Sequence, residues 1–302
     1  MSLLGRNRDF RRLYIAQLIS YGGDWFLIVA LFPLVLQLTG SPLMVALALT
    51  AQELPFFFFS PIAGHLADRL NRKRLMVVAD LARAFLCVGF LFIDSESTLW
   101  IAFPLLLVIS TFSTVFDPAS TAAVPNLVDE DDLGVANALV GSAWGTMLAL
   151  GSALGGLVAA AFGPDTAFLV DLASFLVSAL LLAGIARPLS QPREEEHPGV
   201  VEATKETVRY SRKDHRVLAF LAVKGGFGLA AGVLVLLSVF ARDVFAQGAV
   251  GFGIMMGARG LGALIGPFIG RRIAGHDDRR LFDAIGIALA TFGLFYAAFA
   301  FS

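Results

Sequence analysis

The chain has 302 residues, of which 57% are hydrophobic and only 16% charged, with a mean hydropathy of +0.76. So much apolar surface cannot be hidden inside a water-soluble domain, and that class is excluded. The net charge of −1 carries little meaning by itself, because in a membrane protein the placement of charge matters more than its sum.

Apolar stretches long enough to cross a hydrocarbon core of about 30 Å as helices recur along the whole chain. Nine spans are predicted, near residues 10–38, 42–64, 75–93, 99–115, 133–162, 166–186, 217–240, 250–270 and 281 to the end. The first is too long for a cleavable signal and further spans follow it, so it is expected to stay in the membrane.

The first two spans each carry one acid. Asp24 stands in "YGGDW" and Glu53 in "ELP". At about 1.5 Å per residue, both lie roughly 15–20 Å from the points where their spans begin, close to the bilayer midplane. Acids there are costly unless they face a cavity or a partner. The paired glycines and Pro55 are expected to bend the two helices around a central site. In an apolar setting a carboxyl group takes up a proton more readily, and protonation would remove a buried charge as the protein changes state. Glu53 is therefore read as the principal proton carrier, with Asp24 as its partner or a cation-binding group. The competing role for each is an ion pair with Arg83, Lys224 or Arg259, basic residues that fall within spans.

After the second span comes "GHLADRLNRKR", residues 64–74, a dense group of charge between two apolar segments. In the third span, Asp80 and Arg83 stand at i,i+3, so they can share a helix face and pair. Cys87, the single cysteine, falls in the same span and is read as packing. The loop "VDEDDL" at 128–133 is acidic. The fifth span reads "GSAWGTMLALGSALGGLVAA", where Gly151, Gly155 and Gly156 permit close helix approach. Asp171 begins the sixth span near its outer end and is expected to serve structure rather than substrate. Residues 187–216 hold Pro188, Pro192, Pro198 and the run "REEEH", and form a polar linker with an amphipathic helix near 201–210. Beyond it, "GPFIGRRIAG" at 266–275 shares a Pro-x-x-Gly register with "SPIAGHLADR" at 60–69, a faint parallel repeat of a kind known in transporters.

Taking alternate connections as one side of the membrane places 19 of the 23 Lys and Arg residues together. By the positive-inside rule that side and the N-terminus are cytoplasmic. The acidic loop at 128–133 falls on the same side, but acids weigh little in the rule.

These segments resemble the major facilitator superfamily. "GHLADRLNRKR" is similar to that family's loop between its second and third helices, with Gly64 matching its close-packing glycine, Asp68 and Arg69 its charged pair, and Arg72, Lys73 and Arg74 its basic end. Asn71 stands where glycine is usual, and asparagine also tolerates a left-handed turn. "VVADLARA" and "FLVDLASFLVSALLLAG" resemble the branch of macrolide-efflux and enterobactin-exporter proteins. Drug antiporters of the superfamily carry a glycine-rich signature with a proline in the fifth helix. Here the small residues fit its spacing but the proline is absent, so the stretch serves plain helix packing equally well.

The resemblance implies an all-α membrane protein with two six-helix bundles. The expected organisation is an N-terminal bundle over 1–186, a cytoplasmic linker over 187–216, and three helices of a second bundle over 217–302. The chain is accordingly expected to be a truncated product or a piece of a longer one. Asp68 cannot serve the positive-inside rule, so it is read as one half of a gating latch: it would pair with arginines, face the positive end of a neighbouring helix, and favour the outward-open state. In the second half Ala274 takes its register position, so any equivalent latch there is weaker or absent.

No nucleotide-binding signature and no metal-ligand spacing among the four histidines is visible, so neither cofactor nor metal is expected, and no nucleic acid partner. The reading is a multi-pass inner-membrane exporter of amphipathic, drug-like or macrolide-like small molecules, driven by protons as an antiporter. A siderophore or metabolite exporter is the alternative within transport. A membrane enzyme or a non-transporting relative is the alternative outside it.

Overall fold

The computed structural model describes residues 3–190, 199–214, 217–218, 221–223, 225–226, 232–274 and 278–299. Among these residues the regular structure is helical throughout, and seven helices are long and apolar enough to cross a membrane. Lys224 lies outside the described residues, as do His197, His215 and His276 and much of the predicted seventh span.

Local chemistry sets the helix ends. Asn7 caps α1 (Arg8–Thr39) by accepting from the Phe10 N–H at 3.0 Å, and Gly40 ends it in the left-handed region at φ 62°. Proline at the first position starts α2 (Pro42–Arg69). Asn71 then opens α3 (Arg72–Cys87) as an N-cap, its side chain accepting from the Arg74 N–H at 3.0 Å. Its backbone is extended at φ −66°, so the residue that replaces the family's glycine caps a helix and makes no left-handed turn. A 3-10 turn over Val88–Phe92 follows α3. The chain continues through α4 (Ala102–Ala123), α5 (Leu133–Phe162), α6 (Pro164–Ala183), α7 (Val200–Lys213), α8 (Val233–Val239), α9 (Gly248–Ala274) and α10 (Asp278–Phe299).

Helix α1 packs against α5 and α6, α2 against α4, α3 against α4 and α6, and α9 against α5, while α10 lies along α9. Glycines make the closest of these approaches. A Cβ at Gly151 would meet the Gly22 carbonyl oxygen at 3.2 Å, and one at Gly155 would meet Phe26 Cα at 2.9 Å, so α5 lies directly on the α1 backbone. One at Gly156 would meet the Ala249 carbonyl at 2.7 Å, and one at Gly253 the Ser152 carbonyl at 2.6 Å, which seats α9 on the other face of α5. The two glycines before Asp24 take part as well: Gly22 faces Met147 of α5 and Gly23 faces Ser174 of α6. They permit contact and leave α1 helical through this stretch, where the sequence suggested a bend.

One end of the bundle gathers the N-termini of α1, α3 and α5 and the C-termini of α2, α4 and α6, and basic side chains cover its unpaired carbonyls. Arg72 donates to the carbonyls of Ala67 at 3.1 Å, Ala122 at 2.9 Å and Leu189 at 3.2 Å, tying the ends of α2 and α4 to the segment after α6. Lys73 donates to the Ile185 carbonyl at 2.7 Å, Arg187 to that of Leu127 at 2.9 Å, and Arg12 to that of Gly184. Asp9 accepts from the N–H groups of Ala186 and Arg187 at 3.2 and 3.0 Å. Asp132 pairs with Arg6, so part of the acid in the 128–133 loop neutralises the arginine-rich N-terminus.

Candidate functional site

A cavity of about 690 Å³ opens between α1, α2, α4, α5, α8 and α9. That volume suits a drug-sized molecule. Asp24, near the middle of α1, and Glu53 of α2 both line it, so the two acids singled out by depth meet on one cavity. Arg259 of α9 lines the same space and attracts Glu53 electrostatically. The remaining walls are mainly aromatic and aliphatic, with Tyr21, Trp25, Phe56 and Trp144 prominent and Ser110, Ser113 and Gln52 adding polar points.

Behind this wall lies a buried charge cluster centred on Arg83, which is 1% exposed. Its guanidinium forms an ion pair with Asp80, lies 3.8 Å from Asp24, and donates to Ser20 and Ser113 at 3.2 Å each. The rings of Phe175 and Phe116 flank it, with centroids 4.2 and 4.9 Å from Cζ. Within α3 Arg83 faces Asp80, but it also reaches α1 and α4, and it is Asp24 that it meets on the cavity side. Asp80 Oδ2 and Arg83 Nε have no hydrogen-bond partner. A buried pair satisfied this incompletely is costly to keep for stability alone.

Asp171 sits in the interior rather than at the outer end of its helix. It is fully buried, it accepts from the Cys87 S–H at 3.3 Å, and the Ser174 hydroxyl lies 3.4 Å from Oδ1. Cys87 is thus a hydrogen-bond donor as well as a packing residue.

One cavity acid escaped the sequence reading. Asp117 of α4 lines the cavity and accepts from the Tyr21 hydroxyl at 2.9 Å. Gln17 steadies that phenol by donating to it at 3.2 Å. The fourth span was expected to end near residue 115, two residues short of Asp117. Instead α4 runs through Pro118 to Ala123 and carries Asp117 on the cavity face. The signal available was an acid directly after the apolar pair Val115–Phe116.

The residues of the charged loop stand apart from this cavity. Asp68 lies 3.8 Å from Arg72, with its side chain 45% exposed. A Cβ at Gly64 would meet nothing within 4 Å among the described residues, so no close helix contact demands glycine there. Among the described residues, no group of three His, Cys, Asp or Glu side chains is placed to hold a metal ion.

Comparison with known proteins adds lineage. The sequence profile of the transmembrane secretion effector family matches residues 4–300. The chain is 32% identical over 186 residues to the uncharacterized MFS-type transporter YfiS of Bacillus subtilis, covering 61% of this chain and 44% of that protein. It is 28% identical over 314 residues to the enterobactin exporter EntS of Shigella boydii, covering 98% of this chain and 70% of EntS. The chain thus spans less than half the length of YfiS. Among solved structures it resembles a mutant of the peptide transporter POT in complex with alafosfalin, at a TM-score of 0.60 and 12% identity over 92% of this chain and 70% of that one. Tetrameric PepTSo2 aligns with a TM-score of 0.59 at 16% identity over 88% of this chain and 71% of that one. At such identities the likeness to both structures concerns the fold.

Proposed function

Because residues 4–300 match its profile, the chain belongs to the transmembrane secretion effector family of the major facilitator superfamily, and we propose that it is the core of a proton-coupled exporter of amphipathic small molecules. The observation that carries this reading is the meeting of Asp24 and Glu53 on one cavity, with Arg83 3.8 Å behind Asp24. Glu53 is the proton carrier and Asp24 its partner. In the loaded state a proton on Glu53 removes one buried charge, and the cavity can then pass between its inward- and outward-facing forms at lower cost. Release of that proton restores a carboxylate beside Arg259. The name of EntS supports the outward direction of transport and keeps a siderophore or metabolite as the alternative cargo.

In the same reading the arginine-rich end faces the cytoplasm of a cell whose inner membrane holds the protein, following the distribution of basic residues. Residues 1–186 form the N-terminal bundle, residues 187–216 the linker with its surface helix, and residues 217–302 part of the second bundle. Asp68 acts on the gate at that end.

Inverted vesicles containing the protein test this function. With a proton gradient and a labelled macrolide or acridine amphiphile, the label should accumulate inside, chemically unchanged, and leak away when the gradient is collapsed. A chemically altered label would favour a membrane enzyme. Absence of gradient-dependent accumulation across a panel that includes catecholate siderophores would contradict export.

A further inference from the structure

The three carboxyl groups on the central cavity are electrostatically different. Asp24 faces Arg83 at 3.8 Å, and Glu53 shares its space with Arg259. Asp117 has no such partner: among the described residues no basic nitrogen stands within ion-pair distance of it, and the side-chain donor to its carboxyl group is the neutral phenol of Tyr21. Arg83 is the closest source of positive charge, but it is committed. Asp80 and Asp24 pair with it, the Ser20 and Ser113 hydroxyl oxygens accept hydrogen bonds from it, and the rings of Phe116 and Phe175 lie against it.

The walls of the cavity that Asp117 enters suit a particular guest. Trp25 and Trp144 meet edge to face with centroids 5.8 Å apart, and Tyr21 and Phe56 line the same cavity. Aromatic faces attract cations, and a half-buried carboxylate without an ion-pair partner is a place where added positive charge is favourable. An anion would have to approach three carboxyl groups to reach Arg259. A neutral guest would bring no counter-charge to Asp117.

We infer that Asp117 anchors a binding site for an amphiphilic cation, an ammonium group on an aromatic or aliphatic body, with Tyr21 orienting the carboxylate and Trp25 and Trp144 receiving the apolar part. The inference rests on the export reading only for what binding accomplishes. The site itself stands on the charge distribution of the cavity. A positively charged guest supplies a counter-charge at Asp117 without displacing the pair of Asp24 with Arg83.

The test uses the protein in lipid nanodiscs with Trp100→Phe, since Trp100 lies away from the cavity and is 59% exposed. The probe is benzyltrimethylammonium, whose charge is independent of pH. Its controls are the uncharged isostere neopentylbenzene and the anion phenylmethanesulfonate. The cation should change tryptophan fluorescence saturably, and both controls should bind at least about tenfold more weakly. Asp117→Asn should weaken cation binding by about tenfold or more, Asp117→Glu should retain most of it, and Asp165→Asn should leave it as it was. A melting curve accompanies each variant. If Asp117→Asn does not fold, the isostere comparison and Asp117→Glu decide. Equal affinity for cation and isostere, preference for the anion, or undiminished binding by a folded Asp117→Asn would each overturn the inference. A flux assay separates the two claims: binding without flux contradicts export and leaves the site standing, whereas flux of other compounds without cation binding contradicts the site and leaves export standing.

Discussion

Asp24 of α1 and Arg83 of α3 lie 3.8 Å apart, across the boundary between the central cavity and the buried interior. Through Arg83 the cavity is linked electrostatically to Asp80, which never reaches it. Arg83 consequently balances two acids on different helices, and its loss should be felt by both.

Arg83→Met should therefore be the most damaging single change in the cluster, costing about 3–5 kcal/mol, because it strands a fully buried carboxyl group beside Asp24. Asp80→Asn should cost less, since Asp24 remains to pair with Arg83. The i,i+3 spacing alone suggests that exchanging Asp80 and Arg83 would rescue either reversal. Because Arg83 also engages Asp24, Ser20 and Ser113, the exchanged pair should recover only part of the loss. Thermal unfolding in detergent, followed for the single and double variants, checks this order.

Helix contact through glycine gives a second expectation. Gly156→Ala and Gly253→Ala place methyl groups against backbone at 2.7 and 2.6 Å, so each should destabilise the α5–α9 contact by about 1–3 kcal/mol. Gly64→Ala enters open space and should leave the melting temperature unchanged. A large loss at Gly64 would mean that another surface closes on it.

At the charged end, stability and gating should separate. Arg72→Ala removes three hydrogen bonds to carbonyls and should lower stability by about 1–3 kcal/mol. Asp68→Asn touches an exposed pair and should change stability by less than about 1 kcal/mol. If Asp68 belongs to the gate, the same variant should slow transport although insertion and melting are normal. Undiminished transport would remove the latch.

Much of this was legible in the sequence because a bilayer leaves few choices. Runs of apolar residues must be helices, and acids within them must face a cavity or a partner, which is how Asp24, Glu53, Asp80 and Arg83 could be picked out. Asp117 lies beyond the predicted end of the fourth span, whereas α4, packed against α2 and α3, runs on through Pro118 to Ala123. Glycine can loosen a helix or admit a neighbour, and the contacts of Gly22 with α5 and Gly23 with α6 depend on packing that the local sequence does not encode. The hydrogen bond from Cys87 of α3 to Asp171 of α6 depends on two helices packing together, which no local pattern encodes.

The claim that Glu53 carries the coupling proton meets its most direct test in proteoliposomes holding the Glu53→Gln protein, with uphill and downhill transport of one labelled amphiphile measured side by side. The account predicts that uphill, proton-driven accumulation disappears while downhill exchange continues at a comparable rate, because glutamine keeps the shape of the site and cannot exchange a proton. Uphill accumulation that stays undiminished and pH-dependent would contradict it.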